Sequence, residues 1–314
     1  TVVLSLDAID VVKEPTFPLQ QRIALAAFTS YRVGGTADWF TLPKTSTDIA
    51  ASLQWAQSNE LPVTFLGAGS NLLVSDRGLR GLVVCTRHLR GVDFDETTGQ
   101  LTAAAGEPLP NLAWKAARRG WRGLEWAVGI PGTVGGAVFM NAGAHRACTA
   151  DSLIQAHGVT LAGDHRVLSP QALNFSYRTS SLQSQLCMVT QATFQLTPGN
   201  AAAEVMADTQ AAIAQRRSTQ PYHLPSCGSV FRNPSSHKAG WLIEQTGLKA
   251  LQIGQAQVSP MHANFIVNVG GATAEDVLSL IRSVQDRVQD QWNILLHPEV
   301  RLLGAFDGPQ FRTS

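Results

Sequence analysis

The chain has 314 residues, 44% of them hydrophobic and 15% charged, which is the composition of packed globular material with room for two or three domains and a large core. Its 24 basic and 23 acidic side chains leave a formal net charge of +1, so there is no global pull towards nucleic acid or an anionic membrane. No apolar run approaches the ~20 residues of a membrane span, so no membrane insertion is expected.

No charged segment followed by an apolar run opens the chain, so no secretory signal is expected, and Thr1 in place of a start methionine reads as processing or trimming. Four scattered cysteines (Cys85, Cys148, Cys187, Cys227) contain no CxxC pair. They argue against a zinc site, with no metal expected, and for a cytosolic protein with free thiols.

Residues 1–28 carry few patterned signals. Thr29-Ser30-Tyr31-Arg32-Val33-Gly34-Gly35 follows, then apolar Trp39 and Phe40, as in a strand turning closely against another segment. The spacing of Ile49, Leu53 and Ala56 predicts a helix over 47–56, capped by Ser46 or Thr47. A short buried strand at Val63, Phe65 and Leu66 runs straight into Gly67-Ala68-Gly69-Ser70-Asn71, which suits a diphosphate held by backbone N–H groups and small polar side chains. It is not the dinucleotide fingerprint: Leu72 stands where a third glycine should fall, and Leu72-Leu73-Val74 continues as apolar sequence. No Gly-Lys-Ser/Thr follows, so it is not a P-loop either. Leu82-Val83-Val84 is another buried strand, and residues 1–90 read as a first α/β domain.

Over 91–217 the texture changes, with strands expected at 101–104, 159–161 and 188–196 and a helix at 109–119 that starts with Pro110 and stops at Gly120. The most glycine-dense stretch of the chain lies here, at 129–143. It is uncharged and has Gly129, Gly132, Gly135, Gly136 and Gly143 among Ile130, Pro131 and Thr133. It reads either as a loop wrapping a phosphate-bearing or flat cofactor or as a tight turn between buried strands, and the 67–71 segment favours the first. Arg178 sits among the hydroxyls of 175–181, where a lone arginine most simply makes a surface ion pair. A linking helix is expected at 201–217.

A third unit, 218–303, opens with Gln220-Pro221 and a polar turn around Gly228-Ser229. Ser229 is either a hydrogen-bonded turn residue or a proton donor facing a cleft. A strand ends the 262–268 segment, a well-capped helix covers 273–292 (Thr273 with Asp276), and an alternating strand spans 298–303. Residues 304–314 form a tail.

Six motifs then stand in register: Ser30-Tyr31-Arg32-Val33-Gly34-Gly35, Leu66-Gly67-Ala68-Gly69-Ser70-Asn71-Leu72-Leu73, the 129–143 stretch, Tyr177-Arg178-Thr179-Ser180, Gly228-Ser229-Val230-Phe231-Arg232-Asn233-Pro234, and Pro298-Glu299-Val300-Arg301. Together they resemble the UDP-N-acetylenolpyruvoylglucosamine reductase family. The resemblance implies an α+β, three-domain flavoprotein: a two-part FAD-binding region of the vanillyl-alcohol-oxidase type followed by a C-terminal α+β substrate domain. It implies non-covalent FAD wrapped by 67–72 and 129–136, with NADPH as co-substrate and a nucleotide sugar whose enolpyruvyl ether is reduced to UDP-N-acetylmuramate. By the same resemblance Arg178 and Glu299 stabilise charge at the substrate carboxylate, Glu299 as the neutral acid with a raised pKa, and Ser229 delivers the proton. Tyr177, Gln220, Asn233 and His262 fall where the family contacts substrate, and Arg216, Arg217 and Arg232 are the local cations. Two departures are visible. A tyrosine-bearing insertion after the Tyr-Arg motif is absent, which marks the shorter second class. Leu182 replaces a common aromatic, which puts the packing of Arg178 in question. The rivals are another flavin oxidase or dehydrogenase of the same fold, and a non-catalytic flavin or nucleotide-sugar sensor.

Overall fold

The computed structural model describes residues 15, 17–185, 187–308 and 311. The sequence reading of the chain's start and of part of its 304–314 tail lies outside the described residues. A four-stranded sheet comes first. β1 (Gln20–Ala24) pairs antiparallel with β2 (Thr36–Thr41), α1 (Ser46–Ser58) and β3 (Val63–Leu66) follow, and after the short β4 (Leu72–Val74) comes β5 (Leu79–Cys85), giving the order β1-β2-β5-β3. β5 pairs parallel with both β2 and β3 and is buried at every position but Arg80, as a strand covered on both faces should be. The α1 cap is Thr45, one residue before the expected candidates, because its hydroxyl and the Asp48 carboxylate close a reciprocal capping box.

The second unit is an antiparallel sheet of order β11-β10-β12-β7-β6. Its elements in chain order are β6 (Val92–Asp95), β7 (Gln100–Ala104), α2 (Leu109–Arg118), α3 (Val134–Met140), the two-residue β8 (Gly143–Ala144) and β9 (Ala147–Cys148), β10 (Leu153–Thr160), β11 (His165–Leu168), α4 (Pro170–Leu173) and β12 (Cys187–Gln195). α5 (Ala202–Thr219) leads to the third unit. There α6 (Ala239–Gln245), the antiparallel β13 (Gln252–Ile253), β14 (Ala256–Val258) and β15 (Ile266–Asn268), and α7 (Ala274–Trp292) precede β16 (Arg301–Leu303). The Thr273–Asp276 capping box of α7 is present, worth about 1 kcal/mol.

The units interlock. β16 does not complete the third unit's own sheet. It pairs parallel with β4 of the first, Arg301 opposite Leu72. Asp76 accepts from the Ala274 and Glu275 N–H groups at 2.9 and 3.1 Å, adding a carboxylate to the positive end of α7. Tyr31, Val33 and Leu73, from the first 90 residues, are buried in the third unit's core beside Leu242, Ile281 and Val300. The segment carrying Glu299 is therefore anchored directly against the 67–71 turn.

Candidate active site

One cleft of ≈ 1010 Å³ is lined by all three units, at the upper end of the ~300–1,000 Å³ typical of small-molecule sites. Gly67, Ala68, Gly69, Ser70 and Asn71 join β3 to β4, and with Leu72 they line it. Among the described residues, the backbone N–H groups of Ala68, Gly69, Ser70 and Asn71 find no protein acceptor. Four consecutive unpaired donors beside a cleft make an anion-binding concavity. The segment is held from behind: Ser30 N–H donates to the Gly69 carbonyl at 3.1 Å, and Arg87 Nη2 to the Phe28 and Ala68 carbonyls at 2.9 Å each.

Ile130, Pro131, Gly132 and Thr133 approach from the opposite segment, and Ser70 Oγ donates to the Pro131 carbonyl at 2.8 Å. The expected open loop folds in its second half into α3, capped by Thr133 and stopped by Asn141 at φ +43°. The Val134, Gly135 and Gly136 N–H groups are taken by the Glu107 and Ala105 carbonyls and Thr133 Oγ1. Those of Gly132 and Thr133 find no protein acceptor among the described residues. Several glycines serve the protein's own packing. A Cβ at Gly67 would stand 2.8 Å from Thr133 Oγ1, one at Gly135 2.9 Å from Ala105 Cβ, and one at Gly69 (φ +66°) would collide with the Phe28 carbonyl. Gly136 is different: it lines the cleft and its nearest neighbour would be 3.5 Å away. Gly129 is not among the cleft's lining residues. Its carbonyl accepts from Tyr222 Oη at 2.7 Å, and the Arg216 side chain occupies the space of a Cβ. The free N–H groups, the uncharged lining of both loops and the cleft volume fit FAD.

The other end of the cleft is polar. Arg178 lies on the Ser176–Thr179 turn in the left-handed region, φ +57°, a backbone state that costs a non-glycine residue on the order of 1–3 kcal/mol. Asn141 Nδ2 to the Ser176 carbonyl (2.9 Å), Ser180 Oγ to Phe139 (2.8 Å) and Gln183 Nε2 to the Arg178 carbonyl (2.9 Å) hold it there. Leu182, in the aromatic's place, is buried, and Arg178 is firmly fixed all the same: Nε pairs with Glu299 Oε1 at 2.9 Å and Nη2 donates to the Gly143 carbonyl at 2.9 Å. Burial pushes the Glu299 carboxyl above its ordinary range, outweighing the opposite pull of Arg178 and Arg232.

Ser229 follows Gly228 (φ +82°), and its Oγ makes no hydrogen bond among the described residues. The backbone around it is braced. Val230 N–H donates to the Asn264 carbonyl (2.8 Å), Glu299 N–H to the Val230 carbonyl (2.7 Å), and the buried Asn264 amide bridges both backbone groups of Phe231 at 2.9 Å. Ser229, Arg178 and Glu299, from three distant segments, all line the one cleft.

Tyr177, Gln220, Asn233 and His262 line it too. Tyr177 is exposed, with the Arg178 guanidinium 5.0 Å from its ring centroid. Gln220 Oε1 accepts from Arg216 (3.1 Å) and Asn233 Oδ1 from Ala239 N–H (3.0 Å), so among the described residues the amide nitrogen of each remains as a donor. His262 Nδ1 accepts from Asn264 N–H at 3.2 Å, and burial lowers its pKa, so the ring is held neutral with its proton on Nε2. Of the cations, Arg216 lines the cleft, Arg217 is exposed outside it, and Arg232 bears on Glu299.

Among the lining residues to which the sequence reading gave no role are Gln183, Trp241 and Arg301, the last quoted there only as the end of a motif. Arg301 had a signal, being two residues beyond Glu299 and so on the same side of an extended segment. Gln183 and Trp241 had none.

The fold and the loop pair define an FAD-binding protein, and residues 37–169 match the model of an FAD binding domain. Residues 220–303 match the UDP-N-acetylenolpyruvoylglucosamine reductase C-terminal domain. Proteins of that name from Nostoc punctiforme and Synechocystis sp. are 59% and 55% identical, each over 92% of this chain and over 87% and 92% of their own lengths. The crystal structure of the Thermus caldophilus reductase superposes with a TM-score of 0.77 at 35% identity, over 90% of this chain and 98% of that one. The chain belongs to the UDP-N-acetylenolpyruvoylglucosamine reductase family.

Proposed function

We propose that this chain uses NADPH, through FAD, to reduce the enolpyruvyl ether of UDP-N-acetylglucosamine-enolpyruvate to UDP-N-acetylmuramate, a step of peptidoglycan precursor synthesis. The observation that carries the reading is the convergence of Ser229, Arg178 and Glu299 on a cleft whose other end offers four unpaired N–H groups to a diphosphate. FAD held by the 67–72 and 130–136 segments would supply two-electron chemistry, linking NADPH oxidation to reduction of the enolpyruvyl double bond.

The chain's own groups manage the charge and proton that follow. Negative charge develops on the carbon that bears the substrate carboxylate and spreads into that group. Arg178, pinned through Nε and Nη2, presents its remaining edge to that carboxylate. Glu299 in its neutral form donates a hydrogen bond there, where an ionised carboxylate would repel the charge. Ser229, free of competing hydrogen bonds among the described residues, gives its proton to the carbanionic carbon; a hydroxyl is a weak acid in water, but a carbanion is a strong enough base to draw it. Neutral His262 and the Asn233 and Gln220 amides act as donors to the sugar and phosphates, and Tyr177 covers the carboxylate end. Residues 1–90 and 91–217 are read as the two parts of the flavin region, 218–303 as the substrate region, and the cytoplasm as the compartment.

The test is spectroscopic. The purified, FAD-loaded chain should bleach near its flavin bands on anaerobic NADPH and recover them on addition of the enolpyruvyl sugar nucleotide. Recovery only on admitting oxygen would assign a different acceptor and defeat the reading.

A further inference from the structure

Around Glu299 the charges do not balance. Its partner is Arg178, yet Arg232 also acts on it, and Arg232 acts on Arg301 as well. Arg301 is half-buried, lines the cleft, and has no carboxylate within ion-pair distance among the described residues. Its Nη1 donates to Gln183 Oε1 at 3.0 Å and its guanidinium lies 5.2 Å from the Phe139 ring centroid. A desolvated guanidinium with an amide for its main partner is an unusual expense in a folded chain.

Its position says what it faces. Arg301 is the β16 residue opposite Leu72, at the end of the 67–72 segment, while Phe139 belongs to α3 at the end of the other loop. Gln183 fixes it from the remaining side, and the same amide donates to the Arg178 and Phe139 carbonyls at 2.9 and 3.2 Å. The cation therefore stands where both flavin loops converge.

We propose that Arg301, held by Gln183, is the cation that poises the bound flavin for reduction. This rests on the FAD reading above. NADPH loses a hydride and becomes NADP⁺, and the flavin that takes it gains one negative charge until the hydride passes to substrate. A fixed, unneutralised guanidinium in a low-dielectric cleft stabilises that added charge relative to the oxidised cofactor. Arg301 is free for this because Glu299 is engaged by Arg178. Gln183 is the positioning residue: an amide orients the guanidinium without cancelling its charge.

The experiment measures the flavin midpoint potential, by dye equilibration with no substrate present, in FAD-loaded wild type, Arg301→Gln, Arg301→Lys and Gln183→Glu. Arg301→Gln should make two-electron reduction at least tenfold less favourable, equivalent to ~30 mV. Gln183→Glu, which keeps the arginine but sets a carboxylate against it, should shift the potential the same way, and Arg301→Lys should remain within threefold of wild type. An unchanged potential in Arg301→Gln overturns the proposal. If KM for the enolpyruvyl nucleotide rises in that variant instead, Arg301 is a substrate-anion residue. Should Arg301→Gln fail to retain flavin, an unchanged potential in Gln183→Glu overturns the proposal equally. A wild-type chain that binds no FAD sinks the functional reading and this inference with it.

Discussion

Backbone groups line one end of the cleft and side chains the other. Over 67–72 the donors are consecutive N–H groups of a single loop, and their arrangement is local. At the polar end Arg178, Ser229, Glu299 and Arg301 come from three separate stretches of chain, and each is aimed by a brace from somewhere else: Gly143 and Gln183 for Arg178, Asn264 for the Ser229 turn, β4 for Arg301. A backbone cradle tolerates most changes of side chain and fails when a glycine is filled. A side-chain constellation tolerates little change in the reacting groups themselves, yet its braces can be altered one at a time. The two ends should therefore respond differently to substitution.

The largest effect is expected at the polar end. Ser229→Ala should lower kcat by roughly 10²–10⁴, the usual worth of a general acid, while leaving flavin bleaching by NADPH at the wild-type rate in stopped-flow traces. Equal loss in both half-reactions would mean that Ser229 shapes the cleft rather than delivering a proton.

The cradle offers a sharper contrast between two of its own glycines. Gly69→Ala meets a left-handed φ and the Phe28 carbonyl, so it should lose at least about 1–2 kcal/mol, seen as a lower melting temperature of the flavin-free chain. Gly136→Ala lies in α3, where the added Cβ would meet only Thr133 Oγ1, at an ordinary contact distance of 3.5 Å. It should leave the fold intact or firmer by about 0.5–1 kcal/mol, and weaken only FAD affinity. Similar melting temperatures in the two variants would erase the distinction between glycines kept for packing and those kept for the ligand.

The smallest effect is a pH dependence. Glu299 has a folded-state pKa above its unfolded value, so the stability it contributes is complete below the ordinary carboxylate range and is lost as pH rises through the raised value. Urea unfolding of wild type against Glu299→Gln should show wild type losing ground over that window and the difference levelling off above it. A wild-type advantage that instead grows with pH would mean that the Arg178 pair outweighs burial.

Much of the fold was legible beforehand. The helices at 109–118 and 274–292 declare themselves by apolar spacing, Pro and Gly punctuation and a capping box, all of which act within a few residues. α3 was not legible, because Val134-Gly135-Gly136-Ala137 has poor helix propensity and is helical only since Glu107, Ala105 and Thr133 accept its first N–H groups. Nor was the destination of β16, since three apolar-alternating residues suit any sheet edge and only the packed units supply β4.

At the site, the family motifs named Ser229, Arg178 and Glu299, and the two glycine segments marked where backbone approaches something closely. Sequence by itself determined these residue types and the local turns that carry them, since conformational preference and chain chemistry are short-range. Tertiary structure alone decided that Arg178 would pair with Glu299, that burial would hold that acid's pKa up, that Gly129 would be sealed by Tyr222, and that Arg301 would stand without a carboxylate among the described residues. Desolvation and charge pairing depend on which distant groups share a small volume, and that is settled only when the core closes.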